Sequence, residues 1–185
     1  MNEMTRLVAA SDTFKARFTT AEFERMCESD VFEDWKVELI DGELERMPPP
    51  NRAHSLLQGS IYAQLVTLLG SERVCIEIGV DLGFDTMVGA DVALLHAPMT
   101  DDRRLRADEI SLVVEVAEST VKRDTVMKLA KYARAAIPHY WVIDRARSIT
   151  HVYGEPVDGD YARFETVRFG EPLAVPGADA TITLS

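Results

Sequence analysis

Ser111-Leu112-Val113-Val114-Glu115-Val116-Ala117 (residues 111–117) is the stretch on which the reading of this chain turns. It is the most hydrophobic strand-like run, rich in β-branched residues and without a helical period, which is the pattern of a strand buried on both faces. Glu115 stands in its middle, and a carboxylate there is expensive unless a cation, a metal or hydrogen-bond donors compensate it. A second acid, Asp91, opens another apolar run, Asp91-Val92-Ala93-Leu94-Leu95, and Lys128 follows on what reads as the next helix. Two acids and a lysine carried by successive buried elements point to a metal site. The plainer alternative is a buried Glu115–Lys128 pair and nothing more, which would be costly and only weakly stabilising.

Downstream of Glu115 the polar bend Glu118-Ser119-Thr120 feeds a helix predicted from Val121 to Ala135, with Val121, Thr125, Leu129 and Tyr132 facing inward. Lys128 lies one turn before Tyr132, so both point to the same side. Ile137-Pro138 breaks the helix, and His139 to Asp144 reads as a strand with Tyr140 and Trp141 in the core. A helix joining two buried strands is a candidate parallel crossover. Ser148–Tyr153 and Tyr161–Phe169 read as a peripheral hairpin, with further strands in the C-terminal part, 154–185.

Upstream, Thr19 caps a helix running to about Cys27. Val37–Ile40, the turn Asp41-Gly42 and Glu43–Met47 form a hairpin, which Pro48-Pro49-Pro50 ends. Asn51 caps a second helix with an apolar stripe at Leu56, Leu57, Ile61, Leu65, Leu68 and Leu69. Arg73 to Val80 alternates as a strand with Val74, Ile76, Ile78 and Val80 on one face, and Asp81-Leu82-Gly83 and Val88-Gly89 punctuate the approach to Val92. The fold class expected from this order is α/β, a mixed central β-sheet flanked by helices. The expected organisation is one domain over 1–185, with 1–18 as an N-terminal extension.

Composition narrows the function. The chain has 185 residues, a hydrophobic fraction of 46% and a net charge of −11. That charge counts against a general nucleic-acid binder, because phosphate contact needs local positive potential. Yet residues 101–150 hold ten Lys/Arg against eight Asp/Glu, so the basic part of the chain is also the part holding Glu115 and Lys128. Arg103, Arg104 and Arg106 are expected to balance the nearby acids 101, 102, 108 and 109. Cys27 and Cys75 have no metal-binding spacing and read as buried thiols. No apolar run approaches the roughly 20 residues that cross a bilayer, and no secretory leader is evident, so a cytoplasmic protein is expected. There is no Gly-x-Ser-x-Gly elbow, Walker-type loop or His-Glu-x-x-His helix.

The stretches VELIDGEL (37–44), DVALL (91–95), LVVEVAEST (112–120), KLAKYARAAIPHYWVID (128–144) and, more weakly, PPPNRAH (48–54) resemble the Uma-two family of restriction-endonuclease-like proteins, within the PD-(D/E)XK nuclease superfamily. The resemblance implies a restriction-endonuclease-like core with peripheral hairpins and a Mg²⁺-dependent (or Mn²⁺-dependent) endonuclease acting on DNA as a homodimer. It implies that Asp91, Glu115 and the Val116 carbonyl hold the metal and that Lys128 assists the attacking water. Glu38, His54 and Tyr132 fall near the site as second-tier members, and Lys122 and Arg123 as phosphate contacts. The chain departs from the family pattern in carrying Ala117 where the superfamily's lysine usually stands, with Lys128 taking its place after Asp124. It also has Ala90 where a proline is usual before the acid. Proline there shapes the backbone and does no chemistry. Two rival readings remain: a nuclease-fold binding or assembly protein that cleaves nothing, and a metal-dependent hydrolase of a smaller phosphate substrate.

Overall fold

The structure, a computed structural model, describes residues 15–117 and 127–185. Thr19 caps α1 (Thr20–Glu28) through a reciprocal capping box with Glu22. The hairpin of β1 (Lys36–Ile40) and β2 (Glu43–Met47) turns at Asp41 and Gly42, both at positive φ (50° and 79°). Those are the angles a two-residue primed turn requires, and Asp-Gly supplies them cheaply. Asn51 caps α2 (Arg52–Leu69) by accepting from the Ala53 and His54 N–H groups. Strands β3 (Val74–Gly83) and β4 (Thr86–Leu95) follow, then the short β5 (Leu105–Arg106), β6 (Ile110–Ala117), α3 (Leu129–Arg134) and β7 (His139–Asp144). The chain ends with β8 (Ile149–Val157), β9 (Asp160–Arg168), β10 (Leu173–Ala174) and β11 (Thr181–Ile182).

The mixed α/β class is as expected. A nine-stranded sheet runs in the order β2-β1-β4-β6-β7-β8-β9, with β3 on β4 and β5 on β3. The connection that includes α3 joins β6 to β7 in parallel, Glu115 opposite Val142, and every other pairing in the sheet except β3–β5 is antiparallel. Two apolar layers cover the sheet. One gathers Val80, Val113, Tyr132, Ile137 and Tyr140; the other gathers Leu57, Ile61, Leu65, Val114 and Trp141. All eight residues of β6 are buried, as its β-branched run demands. The hairpin β8–β9 lies at the sheet edge, and the C-terminal β10–β11 pair packs Leu173, Val175, Ile182 and Leu184 into the second layer.

Several local expectations change. The buried stripe of α2 is Leu57, Ile61 and Leu65, spaced by four with Gln58 beside it, while Leu56 and Leu68 are 57% and 42% exposed. Val88-Gly89 does not punctuate the approach to β4 but lies inside it, because β3 and β4 form one long hairpin that turns at Phe84-Asp85. The alternation of β3 breaks at Glu77, whose φ is +51°: Val74 faces the α2 layer, whereas Ile78 packs against the opposite layer together with Val80, and Ile76 is exposed. Cys27 and Cys75 are free and half-buried, and burial pushes both thiols up in pKa. Arg103 and Arg106 pair with Glu109 and Asp108 as expected, but Arg104 reaches Glu24 instead. The bend at 118–120, the start of the predicted helix with Val121 and Thr125, and Lys122, Arg123 and Asp124 lie outside the described residues.

Candidate functional site

β4 explains why a site exists here. One of its sides is taken by β3 along most of its length. The other side is shared: β1 meets it at Met87 alone, and β6 begins only at Val92. Between those points β4 has no strand neighbour on that side, and buried backbone groups without partners are rare and costly. Side chains fill the gap. Gly89 N–H donates to Glu38 Oε1 at 3.1 Å, the Gly89 carbonyl accepts from Lys128 Nζ at 3.3 Å, and Asp91 Oδ2 accepts from Val116 N–H at 2.7 Å. The cleft that results is about 240 Å³, walled by Pro48-Pro49-Pro50 and lined by Lys36, Glu38, His54, Asp91, Glu115 and Lys128.

Lys128 sits at the centre. Its ammonium donates to Glu38 Oε1 at 3.0 Å and to Glu115 Oε1 at 2.9 Å, and all three side chains are almost fully buried. Tyr132, one turn on, donates its hydroxyl to Glu115 Oε1 at 2.7 Å. Burial, and then the charge of Glu115, push the Tyr132 phenol well above its ordinary pKa, so it remains a donor. Asp91 is likewise buried. Desolvation raises its carboxyl, but the neighbouring His54 imidazole and the hydrogen bond from Val116 N–H, with the charge of Lys36, outweigh that and leave its pKa low. It is therefore ionised at neutral pH, as a metal-ligating carboxylate must be. His54 Nε2 stands 3.4 Å from Asp91 Oδ1.

The structure thus brings together Asp91, Glu115, Val116, Lys128, Glu38, His54 and Tyr132. Sequence reading missed three neighbours. Gln58 on α2 donates through one Nε2 to the Asp91 carbonyl (2.9 Å) and to Glu77 Oε1 (2.7 Å), and Glu77 Oε2 holds Lys36 Nζ at 2.6 Å. The ligand atoms of His54, Glu77 and Asp91 lie within 4.8 Å of one another, close enough to share a cation. Glu77 is the residue between the paired Ile76–Val92 and Ile78–Ala90, opposite Asp91, and the ladder is broken there. One signal was available: a glycine inside a strand, Gly89, marks close approach of another group.

A left-handed conformation costs a non-glycine residue about 1–2 kcal/mol, and a half-exposed ion pair returns only about 0–1 kcal/mol. Glu77 is accordingly expected to be held for its side chain rather than for stability. Glu77→Gly should be more stable than Glu77→Ala by about 1 kcal/mol in urea unfolding, because only glycine relieves the backbone. Equal stability of the two variants would mean that φ at 77 carries no strain.

The residues present suit a divalent cation. Asp91, Glu115 and a strand carbonyl are hard oxygen donors of the kind Mg²⁺ and Mn²⁺ take, with the His54 imidazole beside them. A strand residue's N–H and C=O face the same neighbour, so the Val116 carbonyl belongs on the Asp91 side. Around the cleft four carboxylates (Glu38, Glu77, Asp91, Glu115) meet two ammonium groups (Lys36, Lys128), a formal excess of two negative charges with the His54 imidazole neutral. A divalent cation balances that excess, and a phosphate alone would be repelled by it.

Known proteins agree with this architecture. Among solved structures the chain is similar to the crystal structure of a "putative nuclease" from Anabaena variabilis, with a TM-score of 0.67 and 18% identity, covering 90% of this chain and 94% of that one. At that identity the likeness is one of fold. No curated protein matches in sequence. The model of the Uma2 family, described as "Putative restriction endonuclease", matches residues 20–185, and on that extent of match the chain belongs to the Uma2 family.

Proposed function

We propose that this protein is a divalent-cation-dependent endonuclease that hydrolyses phosphodiester bonds in DNA, with Mg²⁺ or Mn²⁺ as its cofactor. The observation that carries the reading is the excess of negative charge converging on an open cleft around Asp91, in a chain of the Uma2 family. In this reading Asp91, Glu115 and the Val116 carbonyl hold the cation, with His54 beside Asp91. The bound cation supplies positive charge to the phosphate and acidifies water. The chain's own residues do the rest. Tyr132 and Lys128 fix the Glu115 carboxylate, Glu38 fixes Lys128 from the other side, and Val116 N–H fixes Asp91. Such fixed donors cost little reorganisation during reaction. A homodimer, which would offer one cleft to each strand of a duplex, belongs to the same reading, as do phosphate contacts from Lys122 and Arg123.

The cleft volume supports a second reading. At about 240 Å³ the cleft is a little smaller than the roughly 300–1,000 Å³ of ordinary small-molecule sites, so a smaller phosphate substrate would also fit. Among the described residues no helix is long and apolar enough to cross a membrane.

Calorimetric titration with Mg²⁺ and Mn²⁺ on the wild type and Asp91→Asn, with supercoiled plasmid as substrate, tests the proposal. Asparagine keeps an oxygen for Val116 N–H, so the variant should fold while losing both cation binding and nicking. Cation binding without cleavage of double- or single-stranded DNA would favour the small-substrate hydrolase. A wild type that binds no cation would refute the enzyme reading and leave the acids structural.

A further inference from the structure

We propose that Lys36 is the residue that receives a non-bridging oxygen of the substrate phosphate, and that Glu77, tied to α2 by Gln58, is the residue that positions it. The inference rests on the phosphodiester reading above and assigns a role to residues outside the stretches quoted for the resemblance. Its starting point is Lys128. An ammonium has three N–H donors, and Glu38 Oε1, Glu115 Oε1 and the Gly89 carbonyl take them at 3.0, 2.9 and 3.3 Å. Lys128 is also 3% exposed. It therefore meets a phosphate only by giving up one of these three bonds, two of them to acids and one to the backbone of β4.

Lys36 is the other cation lining the cleft, and its circumstances are the reverse. Its side chain is 37% exposed, and among the described residues its ammonium has a single carboxylate partner, Glu77. Two N–H donors are left for a ligand. Its chain lies across the bare backbone of Gly89, where a Cβ would come within 3.3 Å of Lys36 Cε and 3.8 Å of Nζ. The glycine thus lets the lysine lie low over the cleft floor, and its charge reaches the Asp91 carboxylate. Gln58 ties the backbone carbonyl of Asp91 to the carboxylate that holds Lys36, so the metal-side acid and the lysine keep a fixed relation. The unusual backbone of Glu77 has a purpose in this arrangement: it aims that carboxylate.

The experiment is equilibrium binding by fluorescence anisotropy with Ca²⁺ in place of Mg²⁺, using a short labelled DNA single strand, its duplex, and inorganic phosphate as competitor. In Lys36→Ala the affinity for DNA should fall about tenfold, the worth of one charge-assisted contact. The slope of log affinity against log salt should lessen by about 0.7–0.9, the signature of one lost phosphate contact. Lys36→Arg should retain affinity to within about threefold, since it keeps the charge, and calorimetric Mg²⁺ affinity should not be reduced in either variant. Glu77→Ala, which leaves the charge without its aim, should weaken binding while preserving the salt slope. If Lys36→Ala bound DNA and phosphate as the wild type does, with the same slope, the assignment to Lys36 would fall and the nuclease reading would stand. If the wild type bound phosphate but not DNA, and Lys36→Ala lost the phosphate, the DNA reading would fall and Lys36 would remain the anion anchor. A wild type that binds neither overturns both.

Discussion

Glu115→Ala is expected to cost about 3–5 kcal/mol of stability as well as all cleavage, because removing one member of a buried ion pair leaves the other uncompensated. Glu115 Oε1 takes both the Lys128 ammonium and the Tyr132 hydroxyl in a site that is 5% exposed. Alanine strands a buried phenol and leaves the ammonium to its other bonds, that to Glu38 among them, and adds a cavity beneath α3. Glu115→Gln keeps an oxygen for both donors, so its cost should be nearer about 1–2 kcal/mol, the difference between a charged and a neutral acceptor. Cleavage should still be lost, since the glutamine has no charge for the cation. Urea unfolding together with plasmid nicking separates the two effects. Equal stability of the alanine and glutamine variants would show that the pair does not support the fold, and wild-type nicking by the glutamine variant would remove Glu115 from the ligands.

Lys128→Met is the complementary experiment. It leaves Glu38 and Glu115 at 2% and 5% exposure without their ammonium, while the unbranched side chain fills most of the space. In cation-free buffer the loss should again be about 3–5 kcal/mol. A divalent cation should return part of it, so the rise in melting temperature on adding Mg²⁺ should be larger in the variant than in the wild type, by the linkage between binding and stability. Turnover should be lost throughout. If Mg²⁺ stabilised the variant no more than the wild type, the cation would not lie close to these acids.

Much of the site was legible because burial makes charges conspicuous. Glu115 interrupts a run that can only be a buried strand, and the family-like stretches around Glu38, Asp91 and Lys128 each end in the same cleft. The hairpin turn at Asp41-Gly42 and the caps at Thr19 and Asn51 were readable because those residues are chosen by local backbone geometry. Glu77, Gln58 and Lys36 were not. Glu77 follows Ile76 in what reads as simple alternation, and nothing in a glutamate announces a positive φ. Gln58 is an ordinary polar residue beside a leucine stripe, and a lysine opening a strand reads as solvated. Their positions come from long-range register: Glu77 meets Asp91 only because β3 and β4 pair where they do.

The attachment of the β1–β2 hairpin has a mechanical consequence. Its turn is pinned to the β3–β4 turn by Gly42 N–H to the Asp85 carbonyl (2.8 Å) and Asp41 N–H to Thr86 Oγ1 (3.2 Å), and its backbone meets β4 at one rung, Leu39–Met87. Beyond that rung its side chains reach the rest of the sheet, among them Lys36 to Glu77 and Glu38 to Gly89 and Lys128. A ribbon clamped at one end and tethered by ion pairs at the other is a cantilever. Its loose end carries one wall of the cleft, Pro48 to Pro50. A group that entered the cleft and competed for those ion pairs would therefore also bear on the attachment of that wall.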